Sequence, residues 1–135
     1  MRARQVSNVA NDEALTVAAS VQAAVPKSLV SAAMHHLPAK ELGAIDRPIE
    51  SDVLICSDHL KATEVTTRIV GSIPGLRPLD AGELSNATPI EAFTAVLLQL
   101  NVRYKTRVAV KLTGIADEQA LTGVAADEDL SAAEA

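Results

Sequence analysis

The longest apolar segment of the chain lies between residues 89 and 105, and the start of this segment is clearly marked. Thr88, Pro89 and Glu91 form a capping box with proline at the first helical position. Apolar residues follow at helical spacing and also fill most of the remaining circumference. This pattern predicts a long helix that is buried nearly all round. Because so short a chain can hardly surround such a helix, part of its surface is expected to meet another subunit or a missing domain.

Three short apolar runs, 29–34, 52–56 and 76–79, predict buried strands. A modest helical stripe separates the second run from the third, and Ser57 and Asp58 precede it as candidate capping residues. Strand, helix and strand in this order predict a βαβ unit with two parallel strands and a right-handed crossover. Residues 107–112 alternate between apolar and polar positions, which predicts an edge strand antiparallel to the others.

The two ends of the chain are less patterned. Residues 12–24 predict a helix that ends before Pro26, and residues 40–48 predict one helical turn or irregular chain. Residues 116–135 are acidic and rich in alanine, which is typical of a disordered tail. We therefore predict a lead (1–27), one domain (28–115) and a tail (116–135). The fold class is α/β: a partial Rossmann-type mixed sheet, with the βαβ unit, an antiparallel edge strand and a long buried carboxyl-terminal helix.

Composition and charge exclude several classes of protein. The net charge is −5 and no basic patch is interleaved with aromatic residues, so nucleic-acid binding is not expected. No apolar run reaches the roughly 18 residues that a membrane-spanning helix needs. The basic residues at 1–4 are not followed by the apolar core of a signal peptide, and a single cysteine gives no disulfide framework. A soluble, cytoplasmic protein is expected.

Few residues carry candidate chemistry. His35 and His36 follow the first predicted strand, but adjacent residues of an extended chain point apart and no further ligand has suitable spacing, so no metal site is predicted. Loops at the carboxyl ends of strands bind ligands in open α/β sheets, so one histidine is expected to line a ligand pocket. The alternative is a loop histidine that is bonded to backbone. We interpret Cys56 as a small buried residue rather than a nucleophile. We interpret Asp80 first as a turn residue, and a contact with a ligand is the less favoured alternative.

Several segments together resemble one protein family. These are residues 33–39 (AMHHLPA), 51–58 (SDVLICSD), 76–82 (LRPLDAG), 84–87 (LSNA), 97–101 (LLQLN) and 103–105 (RYK). In this order they are similar to the carboxyl-terminal half of the NADPH-dependent reductases of the deazaflavin coenzyme F-420. The resemblance extends from about residue 21 to residue 115.

The resemblance implies a binding site for the deazaflavin. In the family, an amino-terminal Rossmann domain holds NADP and the deazaflavin lies in a cleft beside the second half. Hydride passes directly between the two cofactors, so no catalytic residue is expected. By position, the resemblance places His35, Leu37 with Pro38, Ala92 and Val108 near the deazaflavin. Some relatives carry serine in place of Ala92, so one possible hydrogen bond is missing.

The Gly-rich NADP-binding loop of the family has no counterpart in the sequence. The resemblance therefore implies a truncated reductase that binds coenzyme F-420, and binds NADP only if a separate Rossmann-domain partner supplies that half. A homodimer through the 89–105 helix is expected. The alternative is a non-catalytic dimerisation or binding module, or a gene remnant. A third interpretation is the helical half of some other Rossmann dehydrogenase, which would bind no deazaflavin.

Overall fold

A computed structural model describes residues 16–44 and 46–121 of the chain. Its helices and strands follow one another in an α/β order, with a short 3-10 helix (Leu84–Asn86) before the longest helix. The elements are α1 (Val17–Ala24), β1 (Ser31–Ala32), α2 (Ala39–Gly43), β2 (Ser51–Ser57), α3 (Leu60–Gly71), β3 (Leu76–Asp80), α4 (Ala87–Tyr104) and α5 (Asp117–Leu121).

The βαβ unit forms the centre of the fold, as the sequence predicts. Strands β2 and β3 are parallel and in register from Ser51 opposite Leu76 to Ile55 opposite Asp80. Because side chains alternate along a strand, β2 contributes to two cores. Val53 and Ile55 join one cluster with Val70 of α3, whereas Cys56 joins a second cluster on the other face with Leu84 and Ala87. The predicted capping by Ser57 and Asp58 is wrong, because the position before α3 is His59 and makes no side-chain cap bond.

The sheet has three strands in the order β1-β2-β3, and its antiparallel edge strand is β1. Ser31 and Ala32 lie opposite Ser57 and Cys56. A mixed sheet is therefore confirmed, but the prediction that residues 107–112 supply the antiparallel strand is wrong. That segment gives the sheet a single backbone bond, from the Asp52 N–H to the Val110 carbonyl (2.7 Å). The neighbouring Asp52 carbonyl is bonded to His36 instead, so no ladder continues there.

Helix α4 begins at Ala87, directly after the 3-10 helix, so Thr88 lies inside it and the predicted capping box is wrong. Two side chains outside α4 fix this entrance. Asp58 Oδ1 accepts a hydrogen bond from the Leu84 N–H (3.1 Å), and Asn86 Nδ2 donates to the Ala81 carbonyl (2.7 Å). Both bonds hold the preceding turn, which makes a cap on Thr88 unnecessary.

The long carboxyl-terminal helix is present, but only Ala87 and Leu97 of α4 are buried. Phe93 is 46% exposed, Leu98 60% and Val102 81%. The prediction that this helix is buried nearly all round is therefore wrong within the described chain. The first residue of α4, Ala87, packs in the cluster of Cys56 and Leu84, whereas much of the rest of the helix presents exposed apolar side chains.

The ends of the described chain differ in how they match the predictions. Helix α1 is capped by Thr16, whose Oγ1 accepts from the Ala19 N–H (3.0 Å), and it ends before Pro26 as predicted. The residues 12–15 of the predicted helix lie outside the described residues. Helix α2 is the helical turn predicted within 40–48. Helix α5 packs against β3, which differs from the predicted disordered tail; residues 122–135 lie outside the described residues.

Candidate functional site

The loop after β1 carries both candidate histidines. Met34 adopts a left-handed backbone conformation (φ 69°), and the Leu37 N–H bonds back to the Met34 carbonyl (3.2 Å), so the chain reverses. Because β1 is antiparallel to β2, this loop lies at the end of the sheet where the parallel strands begin. The prediction that a histidine lies at the carboxyl ends of parallel strands is therefore wrong. Evidence for a binding site on this loop must come from the contacts that the loop residues themselves make.

His36 is a buried structural residue of the loop. It is 3% exposed, and its Nε2 lies 2.9 Å from the carbonyl oxygen of Asp52. A carbonyl oxygen only accepts, so Nε2 carries the hydrogen and Nδ1 is an acceptor. Nδ1 is buried and meets no hydrogen-bond partner among the described residues. The interpretation as a histidine bonded to backbone therefore holds for His36.

His35 lies against helix α4. The Thr94 hydroxyl donates to the His35 carbonyl (3.4 Å), and the ring contacts that of His36 edge to face at 5.4 Å between centroids. Burial and the His36 ring lower the pKa of His35, although a backbone hydrogen bond at Ala33 and the charge of Glu91 oppose them. The imidazole is thus neutral at pH 7, and its buried Nε2 meets no partner among residues 16–44 and 46–121.

The chain after α4 returns to the same edge of the sheet. Asn101 Oδ1 accepts from the Val108 N–H (2.7 Å), which folds the segment back after Lys105 ends the helix in a left-handed conformation. Val110 then accepts from the Asp52 N–H. Asp52 thereby bonds the histidine loop through its carbonyl and the segment after α4 through its amide. Sequence reasoning missed Asn101, because its bond spans seven residues and depends on where α4 ends.

A buried ion pair joins β2 to β3 beside this edge. Arg77 Nε and Nη2 each lie 2.7 Å from a carboxylate oxygen of Asp52, which is 1% exposed. The two residues are direct neighbours in the parallel register. Burial raises the pKa of Asp52, but the Arg77 hydrogen bonds, the Leu112 amide and the charges of Arg77 and Lys111 hold it below its usual value. Sequence reasoning missed this pair, because the register is needed to find it.

Four of the five residues assigned by resemblance lie near the edge of β2 where Asp52 bonds both the histidine loop and the segment after α4. Leu37 packs on the core cluster of Val53 and Ile55, and Pro38 directly precedes α2. Val108 is half-buried in the returning segment. Ala92 is exposed and lies about 200° around α4 from Thr94, so it belongs to a different face of the helix.

The remaining sequence candidates have local roles. Cys56 is fully buried, and burial together with the charge of Asp80 raises the pKa of its thiol to about 11. Asp80 Oδ1 accepts from the Gly82 N–H (2.9 Å) and so forms the predicted turn. Within the described ranges, no three His, Cys, Asp or Glu side chains are placed to hold a metal ion. No helix in the described part of the chain is long and apolar enough to cross a membrane.

Known proteins similar in sequence share one description. The chain is 36% identical over 87 residues to an F-420-dependent NADP reductase of Methanothermobacter marburgensis and 34% identical over 91 residues to that of Methanothermobacter thermautotrophicus. It is 31% identical over 101 residues to the F-420-dependent NADP reductase of Methanocaldococcus jannaschii. The known relatives of this chain are therefore F-420-dependent NADP reductases. These matches cover 64%, 67% and 74% of this chain.

The chain spans less than half the length of these relatives, since the matches cover 39%, 39% and 45% of them. The fold is shared with a crystal structure of a proposed F-420-dependent NADP reductase from Arthrobacter sp. FB24. The TM-score is 0.66 at 16% identity, over 74% of this chain and 47% of the other. No protein-family model matches the chain.

Proposed function

We propose that this chain supplies one wall of a coenzyme F-420 site in a reductase-like protein, and that a Rossmann half from a separate partner supplies the NADP site. One observation carries the proposal: in a chain similar to these reductases, Asp52 bonds both the histidine loop and the Val108 segment at one edge of the sheet. Hydride transfer between NADPH and the deazaflavin is the corresponding activity, and it depends on both parts.

The polar atoms of this edge fit a heteroaromatic ring that has N–H and hydroxyl donors. His35 Nε2 and His36 Nδ1 are buried acceptors without a partner in the described chain, and a buried acceptor is stabilised when a ligand donates to it. In our proposal His35 accepts such a hydrogen bond, while Leu37, Pro38 and Val108 give apolar contact and exclude water. When bound, the deazaflavin supplies the hydride-accepting carbon. The chain itself orients and shields, and no residue of it acts as acid or base.

Ala92 requires a separate argument, because it faces away from the His35 loop. We propose that it contributes to the site only across a subunit interface, where α4 of a second copy of this chain covers this face. The exposed apolar side chains on α4 support such a contact. A homodimer through residues 89–105 is therefore part of the proposed function.

Titration of the purified chain with oxidised coenzyme F-420, followed by its fluorescence, tests the binding wall. We expect saturable binding that His35→Ala weakens about fivefold, because a single neutral hydrogen bond contributes about 1 kcal/mol. His59→Ala is the control, since His59 lies at the opposite end of β2. An absence of binding by the unmodified chain contradicts the proposal.

An absorbance assay with NADPH and coenzyme F-420 tests the division into two parts. The chain alone should leave the deazaflavin absorbance unchanged, and addition of the amino-terminal half of a related reductase should bleach it. Bleaching by the chain alone would show that NADPH is held without a Gly-rich loop.

The alternative function is a non-catalytic dimerisation or binding module, including a gene remnant. The open apolar surface of α4 favours it, because that surface can mediate association without any cofactor. This alternative predicts self-association without F-420 binding, so the titration separates the two functions.

A further inference from the structure

The segment between α4 and α5 is attached to the sheet almost without regular secondary structure. Among the described residues it makes one backbone-to-backbone hydrogen bond to β2, through the Val110 carbonyl. Two exposed ion pairs flank this contact, Arg107 with Glu41 (3.0 Å) and Lys111 with Glu50 (2.8 Å). Exposed pairs of this kind contribute little to stability, because water screens their charges. Another interaction must therefore hold the segment in place.

That interaction is centred on the guanidinium of Arg77. Its five N–H groups all have acceptors: two bonds go to the Asp52 carboxylate, two go to the carbonyls of Leu112 and Ile115 at 2.6 Å, and one goes to Asp117 at 3.3 Å. Because no donor is left over, Arg77 is not a site for an anionic ligand. It is a clamp between the sheet and the chain after α4.

The Asp52 side of the clamp holds the same segment. Asp52 Oδ2 accepts from the Leu112 N–H, and the Asp52 N–H donates to the Val110 carbonyl. The side chains of Asp52 and Arg77 are 1% and 13% exposed, so water screens their charges poorly. The carbonyl of the same Asp52 holds His36. One residue therefore fixes both walls of the proposed site relative to each other.

We propose that Asp52 and Arg77 are positioning residues that set where Val108 lies relative to His35. The inference rests on the proposed function for its ligand, whereas the clamp itself rests on the contacts above. Neither residue touches the cofactor in this proposal. They act through the Val108 segment, which the clamp holds at residues 110, 112, 115 and 117.

The variant Arg77→Lys tests the clamp, because lysine keeps the charge but loses the planar fork that reaches several acceptors at once. Lys111→Met is the matched control: it removes an ion pair of the same segment, but Lys111 and Glu50 are 56% and 78% exposed. Two quantities are measured in the whole chain, amide hydrogen exchange along the sequence and the dissociation constant for coenzyme F-420.

In Arg77→Lys we expect amides 108–116 to exchange at least about tenfold faster, while the amides of α3 keep their protection, because a local contact governs local opening. We also expect F-420 affinity to fall about fivefold or more, since misplacing a wall costs a contact of hydrogen-bond size. Lys111→Met should change neither quantity. Leu112→Pro, which removes the amide that donates to Asp52, should reproduce both effects and serves if Arg77→Lys does not fold.

Unchanged exchange of residues 108–116 in both variants overturns the clamp. Faster exchange with unchanged F-420 affinity overturns the positioning role. If the unmodified chain binds no F-420, the proposed function fails and the positioning role fails with it, but the exchange data still decide the clamp. The two failures are thus distinguishable.

Discussion

Asp52 connects three parts of the described chain. Its amide, carbonyl and carboxylate bond to the segment after α4, to the histidine loop and to β3, respectively. A residue that satisfies every polar group in this way can be buried at small cost, but loss of its charge leaves Arg77 without its main partner. The stability of the fold should therefore depend on the ionisation of this carboxyl group.

We predict that Asp52→Asn destabilises the chain by about 3 kcal/mol at pH 7, as is typical of breaking a buried ion pair from one side. The pKa of Asp52 is lowered by folding, so its contribution is fully present above the unfolded-state pKa and is lost as pH falls through the folded-state value. Urea unfolding between pH 3 and pH 7 measures this. The difference between the two proteins should shrink as the pH falls below about 4.

Asp46→Asn is the control, because Asp46 is exposed. Its unfolding free energy should follow that of the unmodified chain at every pH. A difference between Asp52→Asn and the unmodified chain that stays constant down to pH 3 would contradict the linkage.

For single residues, the sequence predicted correctly those roles that depend on neighbouring residues in the chain. Cys56 is buried, as predicted from the apolar strand in which it lies, and Asp80 forms a turn with a residue two positions away. The Asp52–Arg77 pair could not be predicted, because the two residues are 25 positions apart and face each other only in one strand register.

Among the helices and strands, α4 shows most clearly what an apolar pattern can and cannot predict. The pattern correctly indicated a long helix, but apolar residues all round do not show which of them the chain itself covers. Leu97 and Leu98 make the point, since these adjacent residues of the same type are 7% and 60% exposed. The start of α4 was missed because Asp58, far away in sequence, holds the turn before it.

We predict that Leu97→Ala lowers the free energy of unfolding by about 2–3 kcal/mol, the usual cost of emptying a core leucine site. Leu98→Ala, the control with the same chemical change, should cost less than about 0.5 kcal/mol in dilute solution. Leu97→Asp should be worse than Leu97→Ala, because the buried carboxylate has no partner. Thermal unfolding compares the three, and an unchanged melting temperature for Leu97→Asp would refute this description of the core.

The turn between α3 and β3 depends on one glycine. Gly75 has a φ of 84°, and a Cβ atom there would lie 2.3 Å from the carbonyl oxygen of Ile49. That oxygen belongs to the backbone leading into β2, so neither chain can move away without disturbing the parallel pair. The turn therefore tolerates no side chain.

We predict that Gly75→Ala destabilises the chain by at least about 2 kcal/mol, from backbone strain and overpacking together. Gly43→Ala is a matched control, since Gly43 lies in α2 and an added Cβ meets nothing within 4 Å. That control should be neutral or stabilising by up to about 1 kcal/mol, because alanine favours helix. Chemical denaturation of the two variants in parallel gives the comparison, and similar losses in both would contradict the role of Gly75.

In the molecule as a whole, the sequence predicts best those elements that contact each other across a short separation in sequence. The βαβ unit spans residues 51–80 and was predicted with nearly correct bounds. The choice between β1 and residues 107–112 as edge strand was not predictable, because both segments compete for the outer edge of β2. In the structure, β1 pairs with the carboxyl end of β2, and His36 bonds the Asp52 carbonyl near the amino end of that strand.

The proposed dimer leads to a prediction about the association state of the chain. Val102→Glu should shift the chain towards monomer, because Val102 is 81% exposed on α4 and a charge at an apolar interface is costly. Val65→Glu is the control, a 40% exposed valine on α3. Sedimentation velocity at several concentrations measures the association state. Equal association of Val102→Glu and the unmodified chain would contradict an interface on this face of α4.

The clamp also has a consequence for the order in which the chain folds. Leu112 and Asp52 are 60 positions apart, whereas β2, α3 and β3 join through contacts within 30 residues. Closing a longer loop costs more entropy and slows folding, so the βαβ unit should form before the carboxyl-terminal segment docks. If the transition state contains the first unit but not the docked segment, destabilising substitutions within residues 110–116 should leave the folding rate nearly unchanged and raise the unfolding rate. The segment that completes the proposed site then docks last during folding and detaches first during unfolding.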